Sequence, residues 1–118
     1  MMFINLLPHS INVRDGDIDV IIPPSHWSLV LKIREGKTRL THLGVPIYNP
    51  NMLVKAYLQK GRVRKPLPPL KEGVYYIYTK QQAESFHRDD MLVPKTAPHE
   101  NPERRNRKIQ SVRGLRFI

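Results

Sequence analysis

Asp15, Asp17 and Asp19 have the one-three-five spacing with which a calcium loop opens. Such a loop also needs a glycine at its sixth position and a bidentate glutamate at its twelfth, where Val20 and His26 stand instead. The run therefore predicts a hairpin turn, because Asp-Gly tolerates positive φ. The five histidines (His9, His26, His42, His87 and His99) include no pair at helical ligand spacing, so no metal site is assigned. Asp89 and Asp90 are neighbours, and on extended chain neighbours point to opposite faces, so they cannot act together from one side as acid and base. A structural role is expected for them. One bonds backbone N–H groups at a helix end, and the other faces a pocket or pairs with Arg88 or Arg113. No serine has a G-x-S-x-G setting, no glycine loop could cradle phosphate, and no cofactor is implied. The catalytic alternative that remains is a small hydrolase using His9 with Asp89 or Asp90, and the residues lean against an enzyme.

Basic residues carry the stronger signal. The net charge is +10, and the excess is confined. Residues 1–54 hold five basic and four acidic side chains, and 72–94 hold two and four. Residues 55–71 hold six basic and no acidic ones, while 95–118 hold seven and two. Lys60, Arg62, Arg64 and Lys65 alternate with small or apolar residues, so an extended chain would lay cations along a phosphate backbone. Arg104, Arg105, Arg107 and Lys108 could do the same from a tail that orders on binding. Neither segment interleaves aromatics, so salt-sensitive, sequence-tolerant binding is expected there rather than base stacking. Tyr48 and Tyr57 are read as core or boundary residues.

The 118 residues are one domain's worth of chain, enough to bury roughly two-thirds of the unfolded surface. Eleven prolines, about twice the usual ~5% usage, favour short elements joined by rigid turns over a helical bundle. The absence of cysteine excludes disulfides and thiolate chemistry. The start, MMFINLLPHS, has no basic n-region, and no run approaches the ~18 apolar residues of a membrane span. A soluble cytoplasmic protein without membrane contact is the resulting expectation.

The elements that would position these residues are best marked between Gly73 and Pro94. Val74 to Tyr78 are β-branched or aromatic and read as a strand. Thr79 with Gln82 predicts a capping box opening a short helix through Phe86, with His87 and Arg88 favourable at its last turn. Met91-Leu92-Val93 is extended again and stopped by Pro94. Further strands are expected over 2–7, 11–13, 18–22, 28–33, 38–43, from Ile47, and over 52–58. The expected fold is α+β and mostly β: a small antiparallel, partly curled sheet with one short helix. Trp27, Phe3, Phe86 and the tyrosine run are its aromatic core candidates. Residues 1–94 would form one compact domain that includes an exposed basic Pro-rich loop at 59–72. Residues 95–111 would be a mobile basic segment, and 112–118 a strand returning to the sheet.

Several runs in order along the chain carry a resemblance: Asn5-Leu6-x-Pro8-His9, Pro23-Pro24-Ser25, Gly44-Val45-Pro46, Leu67-Pro68, Gly73-Val74-x-Tyr76-Ile77, Arg88-Asp89-Asp90-Met91-Leu92-Val93-Pro94 and Arg113-Gly114-Leu115. Together they resemble a family of small, uncharacterised proteins of tailed phages and prophage-bearing bacteria. The chain departs from that family's pattern at Leu7, where a small hydroxyl residue is expected, and in a longer, more basic insert before Arg113. The resemblance implies an accessory phage or prophage protein and supplies no chemistry. It directs attention to Asn5, His9, Arg88, Asp89, Asp90 and Arg113, which would either line a shared pocket or fix turns. The reading is a non-enzymatic binding module for an anionic partner, nucleic acid or a nucleotide-like ligand. The alternative is an interaction factor acting on a host or phage protein.

Overall fold

The structure is a computed structural model and describes residues 1–95 and 109–118. Its middle layer is a four-stranded sheet ordered β1-β9-β10-β12, formed by Met2–Asn5, Val74–Ile77, Met91–Lys95 and Gly114–Phe117. β1 and β10 both run parallel to β9, and β12 closes the far edge antiparallel to β10. A parallel neighbour needs a crossover, and helix α1 (Lys80–Ser85) supplies it between β9 and β10. The helix opens as its sequence requires. Thr79 Oγ1 accepts from the Gln82 N–H at 3.0 Å, and Gln82 Oε1 accepts from the Thr79 N–H at 3.2 Å. Gln82 Nε2 also donates to the Leu29 carbonyl at 3.1 Å, and Ala83 is buried, so a six-residue helix is held by its neighbours.

Alternation along β9 sends side chains to two cores. Tyr76 and Tyr78, with Met91 and Val93, pack against Leu29, Leu58 and Ala83. Ile77 faces the other way and packs against Leu7, Ile11, Ile22 and Val112. The first core is covered by the sheet β4-β7-β8 (Ser28–Arg34, Met52–Lys60, Val63–Pro66) and α1. The second is covered by the sheet β11-β2-β3 (Ile109–Val112, Ser10–Asp15, Ile18–Ile22). Being buried on both faces suits the β-branched and aromatic run of β9.

A fourth sheet is the hairpin β5-β6, Thr38–His42 with Val45–Tyr48. Its residues are exposed throughout, and Leu43 and Gly44 at its tip have φ of 50° and 77°. Its base is pinched where the Asn49 N–H donates to the Lys37 carbonyl at 2.8 Å. A side chain on Gly36 would collide with the Asn49 carbonyl there.

The mostly-β expectation with one short helix holds, and most strand ladders among the described residues are antiparallel. The single curled sheet does not hold. Among the described residues there are four sheets, and the central one is mixed because β1, β9 and β10 share one direction. Most of the expected loop at 59–72 is hairpin: Gly61, at φ 57°, turns β7 into β8, and β8 runs on to Pro66. Pro66 ends an outer strand, the place where a missing N–H costs least. Pro94 does not stop β10 either, because pairing with β9 reaches only Leu92 and β12 alone continues alongside. The helix ends at Ser85, which leaves His87 and Arg88 outside its last turn. Phe3 is 39% exposed rather than a core residue. The C-terminal segment forms two strands in two sheets and starts at Ile109, within the range expected to be mobile. The rest of that basic segment, including Arg104, Arg105, Arg107 and Lys108, lies outside the described residues. Among the described residues, no helix is long and apolar enough to cross a membrane.

Candidate nucleic-acid interface

The face of the β4-β7-β8 sheet turned away from Leu29 and Leu58 gathers cations from all three strands. Tyr57 lies opposite Val30 on β4 and Pro66 on β8. Lys55 is two residues back on β7 and shares the face of Tyr57, and its partner Lys32 shares it too. Arg64 pairs with Gln59, two residues past Tyr57. The Lys32 and Lys55 ammoniums stand 5.8 and 5.5 Å from the Tyr57 ring centre, and the Arg64 guanidinium carbon stands 5.4 Å from it. No two of these charges can therefore be further apart than about twice that distance. Tyr57 is only 5% exposed, so the ring is a covered platform on which charge rests. Each cation–π contact is worth about 0.5–1 kcal/mol at such a surface.

Among the described residues these charges have no anionic partner. Glu35 is the one acidic residue between Ser28 and Pro66. Among the described residues the ion pairs Arg14–Asp19 and Arg88–Asp90 lie elsewhere, and none involves Lys32, Lys55 or Arg64. Lys32 and Lys55 stand directly across a ladder, a like-charge pairing that weakens a sheet. A second group forms beside Trp27, which is partly buried against the first core. Lys65 lies 4.3 Å and Lys60 6.0 Å from its ring centre. Arg62 is exposed in the β7–β8 turn. Such a surface suits the spread negative charge of phosphate oxygens.

The motif residues behave differently. Asn5 is buried, and its side chain is spent on backbone. Nδ2 donates to the carbonyls of His9 at 2.9 Å and Ile22 at 3.2 Å, and Oδ1 accepts from the Leu7 N–H at 2.9 Å. His9 Nδ1 lies 3.1 Å from the Ser10 carbonyl. On the other flank of β9, Arg88 grips Asp90 through two bonds, 2.9 and 2.7 Å long. It also donates to the Pro68 carbonyl at 2.8 Å and lies 5.8 Å from the Tyr76 ring centre. The bond to Asp90, ahead of the opposing effect of burial, raises the guanidinium pKa further. Burial pushes the Tyr76 phenol up, with Arg88 pulling it partly back. Asp89 is exposed and its neighbour Asp90 is buried, and both stand in the turn before β10 rather than on extended chain. Arg113 is exposed, and its N–H donates to the Lys95 carbonyl at 3.1 Å. Asn5 and Arg88 thus fix two separate turns, one on each side of β9.

Of the sequence-marked cations, Lys60, Arg62, Arg64 and Lys65 do cluster on one hairpin, but Arg64 and Lys65 serve different aromatic rings. Lys32 and Lys55 were not singled out, although cross-strand pairing makes them the partners of Arg64 around Tyr57. The signal for Lys55 was its place in the acid-free stretch, whereas nothing local marks Lys32. Comparison with protein-family models, with curated proteins and with solved structures found no match for this chain.

Proposed function

We propose that the chain is a non-enzymatic binding module that holds a nucleic-acid phosphate backbone on the outer face of the β4-β7-β8 sheet. One observation carries the reading: Lys32, Lys55 and Arg64 converge on the Tyr57 ring, and no carboxylate among the described residues neutralises them. A sheet that tolerates a like-charge cross-strand pair gains nothing in stability from it, so the charge has its use outside the fold. Because Tyr57 is covered, contacts run to phosphate and not to stacked bases, and binding is tolerant of sequence. The resemblance to small phage proteins suggests the setting, an accessory protein that meets phage or host nucleic acid.

The test is a fluorescence-anisotropy titration of a labelled mixed-sequence DNA duplex at low and moderate salt. Each lost phosphate contact should flatten the slope of log affinity against log salt by about 0.9. A Lys32→Glu, Lys55→Glu, Arg64→Glu variant should therefore flatten it by between about two and three, and weaken binding by roughly tenfold or more at moderate salt. A second variant, Arg104→Glu, Arg105→Glu, Arg107→Glu, measures the tail separately. No binding at low salt, or loss only in the tail variant, would remove the sheet face from consideration.

A further inference from the structure

About half of the large exposed hydrophobic side chains among the described residues fall into two groups. One surrounds an open groove of about 450 Å³ between the middle sheet and β3. Its floor is a row of rings, with Phe3 and Tyr75 centred 6.3 Å apart and Tyr75 and Phe117 6.1 Å apart. Its wall is Ile18 and Val20 of β3, about half exposed, which is the outer strand of its sheet among the described residues. The two layers close over Ile11 and Ile77 and part toward these residues. An apolar cavity of about 150 Å³ takes one benzene-sized group, so this groove has room for about three such side chains.

The other group is the β5-β6 hairpin. Leu40, Val45 and Ile47 lie on one face of it, from 44% to 60% exposed. Leu43 at its tip is 90% exposed and held at φ 50°, a conformation that is costly for a branched side chain. Among the described residues the hairpin pairs only with itself, so this strained, solvated leucine is left exposed on its own chain. Charge also matches. The stretch from Lys37 to Tyr48 has Arg39 and His42 and no acid, whereas Asp15 and Asp17 stand at the β2–β3 turn beside Ile18. Residues 96–108 contain no Leu, Ile, Val, Met or aromatic residue, so their composition cannot fill the groove.

We infer that the chain self-associates, with the β5-β6 hairpin of one copy seated in the Phe3–Tyr75–Phe117 groove of a second copy. Each copy carries one donor and one acceptor. The contact is therefore heterologous: it gives a reciprocal pair or a ring where the rotation closes, and an open filament where it does not.

Sedimentation equilibrium of the full chain over a wide concentration range tests this, and a mass rising above the monomer is expected. Leu43→Asn should weaken association about tenfold or more, because a buried leucine is lost. At concentrations where both chains are monomeric it should not lower the unfolding temperature, because asparagine accepts positive φ. Ile47→Lys on the arm and Val20→Lys in the groove should each weaken association as well. An equimolar mixture of those two variants should associate more tightly than either alone, since one keeps the groove and the other keeps the arm. A wild-type chain that stays monomeric overturns the inference. So do a mass indifferent to Leu43→Asn and a mixture no tighter than its components.

Discussion

Two arginines stand over two tyrosines, and only one of them is built into the fold. Arg88 lies 5.8 Å from the Tyr76 ring centre, grips the buried Asp90 and donates to the Pro68 carbonyl. Arg64 lies 5.4 Å from the Tyr57 ring centre with Lys32 and Lys55 beside it and no carboxylate in reach among the described residues. The ring contact is the same in both, and the counter-charge differs. A cation whose field is cancelled locally fixes structure, while a cation left uncancelled acts on what comes from outside. The turn-fixing motif residues are thereby set apart from the proposed binding face, although both hold the same residue types.

The largest effect should come from breaking the paired arginine. Arg88→Ala strands the Asp90 carboxylate in the interior and should cost about 3–5 kcal/mol in urea unfolding. A loss below about 1 kcal/mol would mean the two arginines are not different in kind. Asn5→Ala comes next, at about 2–3 kcal/mol, since the buried Leu7 N–H and Ile22 carbonyl lose their partner. Retained stability there would mean that the turn holds without the Asn5 side chain.

Tyr78→Phe should cost about 1 kcal/mol, the value of the bond from its hydroxyl to the Phe86 carbonyl at 2.9 Å. It also has a pH signature. Burial raises the Tyr78 phenol above the ordinary 10.0, so the unfolded chain sheds its proton first. The stability this phenol contributes is present below pH 10.0 and is lost as pH rises through the folded value. Thermal unfolding above pH 10.0 should therefore decline less steeply in Tyr78→Phe than in the native chain. Arg64→Ala should be the smallest, within about 0.5–1 kcal/mol, because an exposed cation over a ring adds little to folding. A cost several times larger would place Arg64 with Arg88 and weaken the binding reading.

Much of the local structure was legible in the residues themselves. The Thr79–Gln82 capping box, the hairpin turn at Gly16-Asp17 and the strand at Val74–Ile77 all depend on neighbours a few positions apart. Where local rules gave the wrong answer, a distant partner had decided. Proline normally ends a strand, yet Pro94 continues β10 because β12 lies along one side while pairing with β9 has already stopped. The basic stretch from Lys60 to Lys65 reads as loop by composition, yet it is hairpin because β7 offers β8 a ladder. The middle sheet is mixed because β1 and β10 both align with β9, a pairing between segments more than seventy residues apart on one side.

The chain alone determined where charge is concentrated, which residues turn the backbone, and that the protein would be mostly β, since these follow from side-chain chemistry and short-range sterics. Only the tertiary structure decided that Lys32 joins Lys55 and Arg64 on one tyrosine, and that Asn5 and Arg88 serve separate turns. It also decided that a ring-lined groove and an apolar arm are both left open. Each of these depends on which strands pair, and pairing is settled by burying two cores at once.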